Sequence, residues 1–263
     1  MTPYPSALLR ATTVRKLRAA GCVFAEDEAR LLISAARTTA ELAVLVGRRV
    51  DGLPLEHVVG WAEFGGLRVS VDPGVFVPRR RSEFLAEQAA ALAAPGAVVL
   101  DLCCGSGALG AAVAAAAGPV DLHAADLDEA SVRCAARNLA AAGGRVYRGD
   151  LYAALPAELR GRVDVLVANA PYVPTGEIGL LPPEAREHEP LAALDGGDDG
   201  LAIQRRVTAD APAWLAPGGH LLVETSDRQA TRTADAFADA GLAPRITACE
   251  ERDATVVIGT RAR

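Results

Sequence analysis

From residue 97 onward, short apolar runs alternate with segments of helical length, and that alternation leaves few folds open. Strands are predicted over 97–102, 120–125, 145–148, 163–168 and 220–224, with a final β region at 255–259. Helices are predicted over 108–117, 129–142, 201–215 and 228–240. Strands that are apolar along their whole length are covered on both faces, and helical crossovers make their neighbours parallel. The prediction is therefore α/β: a doubly wound, mostly parallel sheet, whose ligands sit at the carboxyl ends of the strands. A long irregular stretch is expected over 171–200. Ahead of this region, residues 5–48 read as helical, with Ala29, Leu32, Ile33, Ala36, Leu42 and Leu45 at helical spacing. Residues 55–78 carry Gly65-Gly66 and Pro73-Gly74 between partly alternating apolar positions, as a β-hairpin does. The expected organisation is a small N-terminal helical domain (1–54) for substrate recognition, a hairpin linker (55–78) and a catalytic domain (79–263).

Composition narrows the partners. Half of the 263 residues are apolar (51%), enough for a sizeable core, and the net charge is −6. Bulk nucleic-acid binding needs a basic face and is not expected. The five cysteines form no C-x-x-C pair and the four histidines lie far apart, so neither a disulfide framework nor a metal site is expected. The longest apolar run, 108–117, is too short to span a bilayer, and no secretory leader is visible. A cytoplasmic protein without membrane contact is the expectation.

The first of these strands runs into Asp101-Leu102-Cys103-Cys104-Gly105-Ser106-Gly107-Ala108-Leu109-Gly110. Gly105 and Gly107 allow a tight turn and a close backbone approach to a ligand, and the following helix aims its amide groups there. Asp126 ends the next strand about twenty residues on, where a carboxylate can bond both hydroxyls of a ribose. Gly105-x-Gly107-x-x-Gly110 with Asp126 is also the dinucleotide fingerprint, so NAD and S-adenosylmethionine both stay open on these residues. Asp101 tilts the balance: a carboxylate on the strand end repels a pyrophosphate and suits the cationic methionine half of S-adenosylmethionine. Asp126 could equally be a helix N-cap. Asp150 is a candidate for the adenine amino group or for a loop cap. Ser106, Leu127 and Leu151 complete the expected cofactor set, and Cys103 and Cys104 read as small loop fillers.

The fourth strand ends in Asn169-Ala170-Pro171-Tyr172. This segment resembles the Asn-Pro-Pro-Tyr motif of methyltransferases that act on planar nitrogens, either glutamine N5 or adenine N6. Pro183-Glu184, Glu189-Pro190, Ala193-Leu194, Gly196-Gly197 and Asp199-Gly200-Leu201 are similar to the spaced signature of release-factor glutamine methyltransferases. Trp61-Ala62-Glu63-Phe64 and the run from Val77-Pro78-Arg79 to Glu83 match the linker hairpin of that family. The resemblance covers residue 55 to the C-terminus and, loosely, the helical segment. It implies a class I fold with a seven-stranded sheet, S-adenosyl-L-methionine as cofactor, and a protein acceptor with an exposed glutamine loop, a release factor or another protein.

An amide nitrogen is a poor nucleophile because its lone pair is delocalised. The expected catalytic residues are Asn169, Pro171 and Tyr172, with Asn169 also beside the cofactor. Asn169 would accept one substrate N–H and the Ala170 carbonyl the other, Tyr172 would stack on the flat amide, and no general base is required. Arg79 to Arg81 are expected to add positive surface for the partner. Two departures from the family stand out: Ala170 replaces its first proline, and Arg80-Arg81-Ser82 replaces its Pro-Glu-Thr. Adenine-N6 methylation, a nicotinamide dehydrogenase and a non-catalytic cofactor-binding module are the competing readings.

Overall fold

The computed structural model describes residues 7–263. Residues 5 and 6 of the predicted helical segment lie outside the described residues. Four helices open the chain: α1 (Ala7–Ala19), α2 (Ala25–Ala35), α3 (Thr39–Val50) and α4 (Leu55–Val59). Thr38 caps α3 by accepting a hydrogen bond from the Glu41 amide at 3.1 Å, and Glu41 reaches back to the Arg37 amide. Leu17, Ala29, Leu32, Leu42 and Val46 form a cluster of their own, joined by Val58 of α4. The helical unit thus has a separate core that continues past residue 54, and the first turns of the expected hairpin segment are helix.

The hairpin itself is β1 (Trp61–Phe64) and β2 (Leu67–Ser70), antiparallel with Phe64 opposite Leu67. Gly65 and Gly66 both adopt positive φ, the two-residue turn whose twist matches paired strands. Phe64 and Val69 bury themselves in the core on one face of the large sheet, so the hairpin is anchored there.

The sheet domain contains β3 (Val98–Leu102), β4 (Asp121–Asp126), β5 (Arg145–Arg148), β6 (Val163–Ala168), β7 (Leu215–Thr225), β8 (Leu242–Cys249) and β9 (Ala254–Arg261). They form one seven-stranded sheet in the order β5-β4-β3-β6-β7-β9-β8. The neighbours from β5 to β7 are parallel, and β9 runs antiparallel to both β7 and β8. Side chains alternate between the faces: Val99 enters one core cluster, whereas Val98, Leu100 and Leu102 enter the other. Helices α6 (Ala108–Ala117), α7 (Glu129–Leu139), α9 (Ala202–Trp214) and α10 (Ala230–Asp239) occupy the predicted positions. The predicted doubly wound, mostly parallel α/β sheet is the observed fold.

Besides α4, three further elements escape the sequence reading. α5 (Glu83–Leu92) falls in a span left unassigned, and α8 (Pro183–His188) interrupts the stretch read as irregular. β8 carries Pro244 and Arg245 and is exposed along most of its length, as an edge strand can be. It therefore shows neither an apolar run nor alternation. β3 and β6 lie side by side at the centre, pairing Leu102 with Ala168, so the glycine loop and the Asn169 loop leave the sheet together. Among the described residues, no helix is long and apolar enough to cross a membrane.

Candidate active site

A cavity of about 1110 Å³ opens over the carboxyl ends of β3, β4, β5 and β6. Its lining includes Asp101, Gly105, Ser106, Asp126, Leu127, Asp150, Leu151 and Asn169, so those members of the predicted set converge. Gly107 does not line it. The added Cβ at Gly107 would stand 3.1 Å from Ala135, and its φ is +76°. Gly107 therefore serves the packing of the loop against α7, while Gly105, with φ +54°, turns the backbone toward the cavity.

Asp101 is 1% exposed. Its Oδ2 accepts a hydrogen bond from the Gly110 amide in the first turn of α6 at 2.9 Å, while Oδ1 has no partner. Gly110 lacks a side chain because a Cβ there would press on that carboxylate at 3.1 Å. Burial pushes the Asp101 carboxyl up to about 7, opposed by the Gly110 amide. An orphaned buried oxygen in a cavity wall is costly unless a donor or cation arrives. That fits the cationic half of S-adenosylmethionine and opposes a pyrophosphate.

Asp126 accepts from the Gly105 amide through Oδ2 at 2.8 Å and from the Asp128 amide through Oδ1 at 2.9 Å. The N-cap of α7 is Asp128, bonded to the Ser131 amide at 2.7 Å, so Asp126 is not the cap. It braces the glycine loop and presents its remaining lone pairs to the cavity; burial raises its pKa. Leu127 is 61% exposed beside it, and Leu151, also in the lining, holds a left-handed backbone, φ +48°. Asp150 stands at the N-cap position of the turn that follows, but its side chain makes no capping bond and instead forms an ion pair with Arg206 at 2.7 Å. Cys103 and Cys104 are both pushed up by burial, as befits packed thiols without nucleophilic character.

A second cavity of about 460 Å³ lies beyond the Asn169 loop, and Asn169 and Pro171 line both. Asn169 Nδ2 donates to Ser82 Oγ at 3.2 Å, and Oδ1 accepts nothing from the described residues. Ala170 is 1% exposed. Tyr172 lines only the second cavity. Its hydroxyl donates to Glu224 Oε1 at 3.2 Å and accepts from Arg81 Nη2, and the Arg81 guanidinium packs 5.6 Å from the ring centroid. Burial, then the Glu224 carboxylate, raises the Tyr172 pKa.

The expectation of an open positive surface at 79–81 needs correction. Arg79 donates to both oxygens of Glu189 at 2.7 and 2.6 Å, and Arg81 pairs with Glu224 at 3.2 Å. Glu189 and Glu224 are 6% and 2% exposed, so these arginines neutralise buried carboxylates. Of these three arginines, the exposed Arg80 is the one without an ion pair among the described residues. Sequence reading missed Ser82, Glu224 and Gln229. Gln229 Nε2 bonds the Tyr172 carbonyl at 3.0 Å and the Asp199 carbonyl at 3.1 Å, tying loop 195–200 to the Asn169 segment. No local pattern marks these three; each matters through a contact more than 29 residues away. The Asp195 and Asp199 carboxylates act as turn caps, accepting from the Gly197 and Leu201 amides.

Residues 66–179 match the family described as methyltransferase small domain. The chain is 41% identical over 206 residues to a release factor glutamine methyltransferase of Mycolicibacterium smegmatis, covering 78% of this chain and 73% of the relative. It is 38% identical over 193 residues to a 4-amino-L-phenylalanine/4-methylamino-L-phenylalanine methyltransferase of Streptomyces pristinaespiralis, covering 70% and 65%. In fold, it resembles a methyltransferase of Pyrococcus furiosus, with TM-score 0.58 at 17% identity over 75% of this chain and 90% of the other. With the orphaned Asp101 oxygen, the braced Asp126 and the Asn169 loop on one rim, these likenesses converge: the chain belongs to the release factor glutamine methyltransferase family and uses S-adenosylmethionine as its methyl donor.

Proposed function

We propose that this enzyme methylates the side-chain amide nitrogen of a glutamine in a protein, a release factor being the acceptor that the relatives' names suggest. The observation that carries the reading is Asn169, which stands between the two cavities with its Oδ1 unengaged. The larger cavity is the cofactor site, held by Asp101, Gly105, Ser106, Asp126, Leu127, Asp150 and Leu151. The smaller one is the acceptor site. The bound cofactor supplies an electrophilic methyl group.

The chain's own residues then position the nitrogen. Ser82 turns the Asn169 amide so that Oδ1 can accept one substrate N–H. The Ala170 carbonyl accepts the second, and the pair favours a pyramidal nitrogen with its lone pair free. Such positioning contributes roughly 7–11 kcal/mol at its favourable limit. Tyr172, fixed through its hydroxyl by Glu224 and Arg81, forms an apolar wall that excludes water. No base is needed, because the proton leaves after the new bond has formed. The helical unit grips the protein that carries the glutamine. Five free thiols accord with a reducing cytoplasm.

A second reading, methylation of an aromatic amine, is favoured by the Streptomyces pristinaespiralis relative, since an arylamine nitrogen is also planar and conjugated. The test is transfer of tritium from labelled S-adenosylmethionine to purified release factor and, separately, to 4-amino-L-phenylalanine. Label on a glutamine-bearing peptide supports the proposal. Label on the small amine alone overturns it in favour of the second reading.

A further inference from the structure

The acceptor cavity is bordered by a strap, residues 173–195, whose base is pinned by the Val173 amide to the Leu194 carbonyl at 3.1 Å and by the Gly196 amide to the Val173 carbonyl at 2.8 Å. One arm of the strap, with Leu181, Pro182, Glu184 and Ala185, lines the second cavity; the other, with Leu191 and Ala192, lines the cofactor cavity. Displacement of this one segment therefore reshapes both sites.

At the inner end of α8, Glu189 is held from outside the strap by Arg79 and the Val77 amide. The outer arm, residues 176–188, has one polar tether of its own. Within residues 176–188, every other hydrogen bond given by the described residues stays inside the strap. The exception is Glu184, whose Oε2 accepts from Arg49 Nη1 at 2.8 Å. Arg49 belongs to α3 of the helical unit and is 135 residues away in sequence. It is held rigidly at its own end: Nε and Nη2 donate to the two oxygens of Glu28 at 2.6 and 3.1 Å, and Nη1 also reaches the Leu53 carbonyl at 3.0 Å. Its side chain is 12% exposed and that of Glu184 is 45% exposed. Burial opposes the Arg49 charge, yet the Glu28 hydrogen bond and the two carboxylates hold its pKa above the ordinary value. The guanidinium is thus a fixed, permanently charged post, and Glu184 is the partner that can let go.

We infer that Arg49 and Glu184 form a positioning pair through which the helical unit sets the wall of the acceptor cavity. This rests on the proposed reading that the smaller cavity takes the acceptor and the helical unit grips its carrier. Engagement of a protein on α1–α4 fixes Arg49 further, and Arg49 then holds the strap in the shape that admits the glutamine.

Glu184→Gln tests the pair without touching Arg49–Glu28 or any residue placed in the cofactor site. Glu184 itself lines the acceptor cavity, so the exchange measurement below separates release of the strap from loss of a direct contact with the acceptor. In the full-length enzyme with purified release factor, KM for the acceptor should rise roughly two- to fivefold, the scale of a half-exposed ion pair. kcat at saturation and donor affinity should stay within twofold. Glu184→Asp should recover part of the loss and Glu184→Lys should deepen it, a charge order that a purely structural defect would not follow. Hydrogen exchange supplies a readout independent of the acceptor: amides of 176–188 should exchange faster in Glu184→Gln, with those of β3 and β4 unchanged. Unaltered exchange across 176–188, or a variant that loses kcat and leaves KM as it was, overturns the inference. If the wild-type enzyme labels no release factor, the proposed function fails, and the exchange measurement still decides whether the pair holds the strap.

Discussion

At Asn169 one hydrogen bond decides which end of an amide meets the substrate. Donation from Nδ2 to Ser82 at 3.2 Å leaves Oδ1 as the acceptor. Asn169→Ala removes that acceptor and strands a substrate N–H, a loss of about 1–3 kcal/mol before misalignment is counted. Single-turnover methyl transfer at saturating donor should fall at least about a hundredfold, with donor affinity nearly unchanged. A near-normal rate would make Asn169 a turn residue and end the amide-positioning mechanism. Asp101 gives a second prediction at this scale. Its folded carboxyl titrates at about 7 against an ordinary 3.8, so between these values the native state binds the extra proton. Stability from this group is therefore present at low pH and lost as pH rises through that window. A cationic ligand needs the carboxylate, so donor affinity should climb toward tenfold per pH unit below about 7 and level off above it. Calorimetry from pH 5.5 to 8.5 measures this, and Asp101→Asn, which keeps the shape, should flatten the profile. An unchanged profile in that variant would assign the proton to another group, Asp126 being the neighbour whose pKa is also raised by burial.

Among the elements, loop 195–200 depends most on small residues. Gly200 adopts φ +74°, and a Cβ there would collide with the Tyr172 carbonyl and Gln229 Nε2. Gly200→Ala should cost about 1–3 kcal/mol from backbone strain alone. It should also separate the loop from the Asn169 segment, so turnover should fall more than thermal stability suggests. Paired melting curves and kcat values check this; loss of stability at full activity would show that the loop does not hold Tyr172. The sequence signalled this loop through its glycines and aspartates, but nothing local announced Gln229 as the clamp. The predicted parallel strands matched the structure because burial on both faces writes an apolar run into the sequence. β8 left no such trace because it is the edge strand, with one strand neighbour and most of its side chains exposed.

At the scale of the whole molecule, two cores meet through few polar links. The helical unit packs Leu17, Leu32, Leu42 and Val58 together, apart from the sheet's two clusters. Removing residues 1–50 should therefore leave S-adenosylmethionine binding within a few fold while abolishing transfer to a protein acceptor. Calorimetry on the truncated chain, with circular dichroism to show that the sheet persists, makes the comparison. Full activity without the segment would refute its role in recognition. The alternation of strand and helix, the glycine loop with Asp101 and Asp126, and the Asn169-Ala170-Pro171-Tyr172 segment were legible because each is local: a periodicity, a turn or a strand end. The tertiary structure alone decided that Arg79 and Arg81 are consumed by Glu189 and Glu224 and do not form an open basic surface. It alone brought Ser82 to Asn169 across 87 residues and Arg49 to Glu184 across 135. A charge or hydroxyl has no fixed role in the sequence, because its energy depends on the partner and the water that folding leaves beside it.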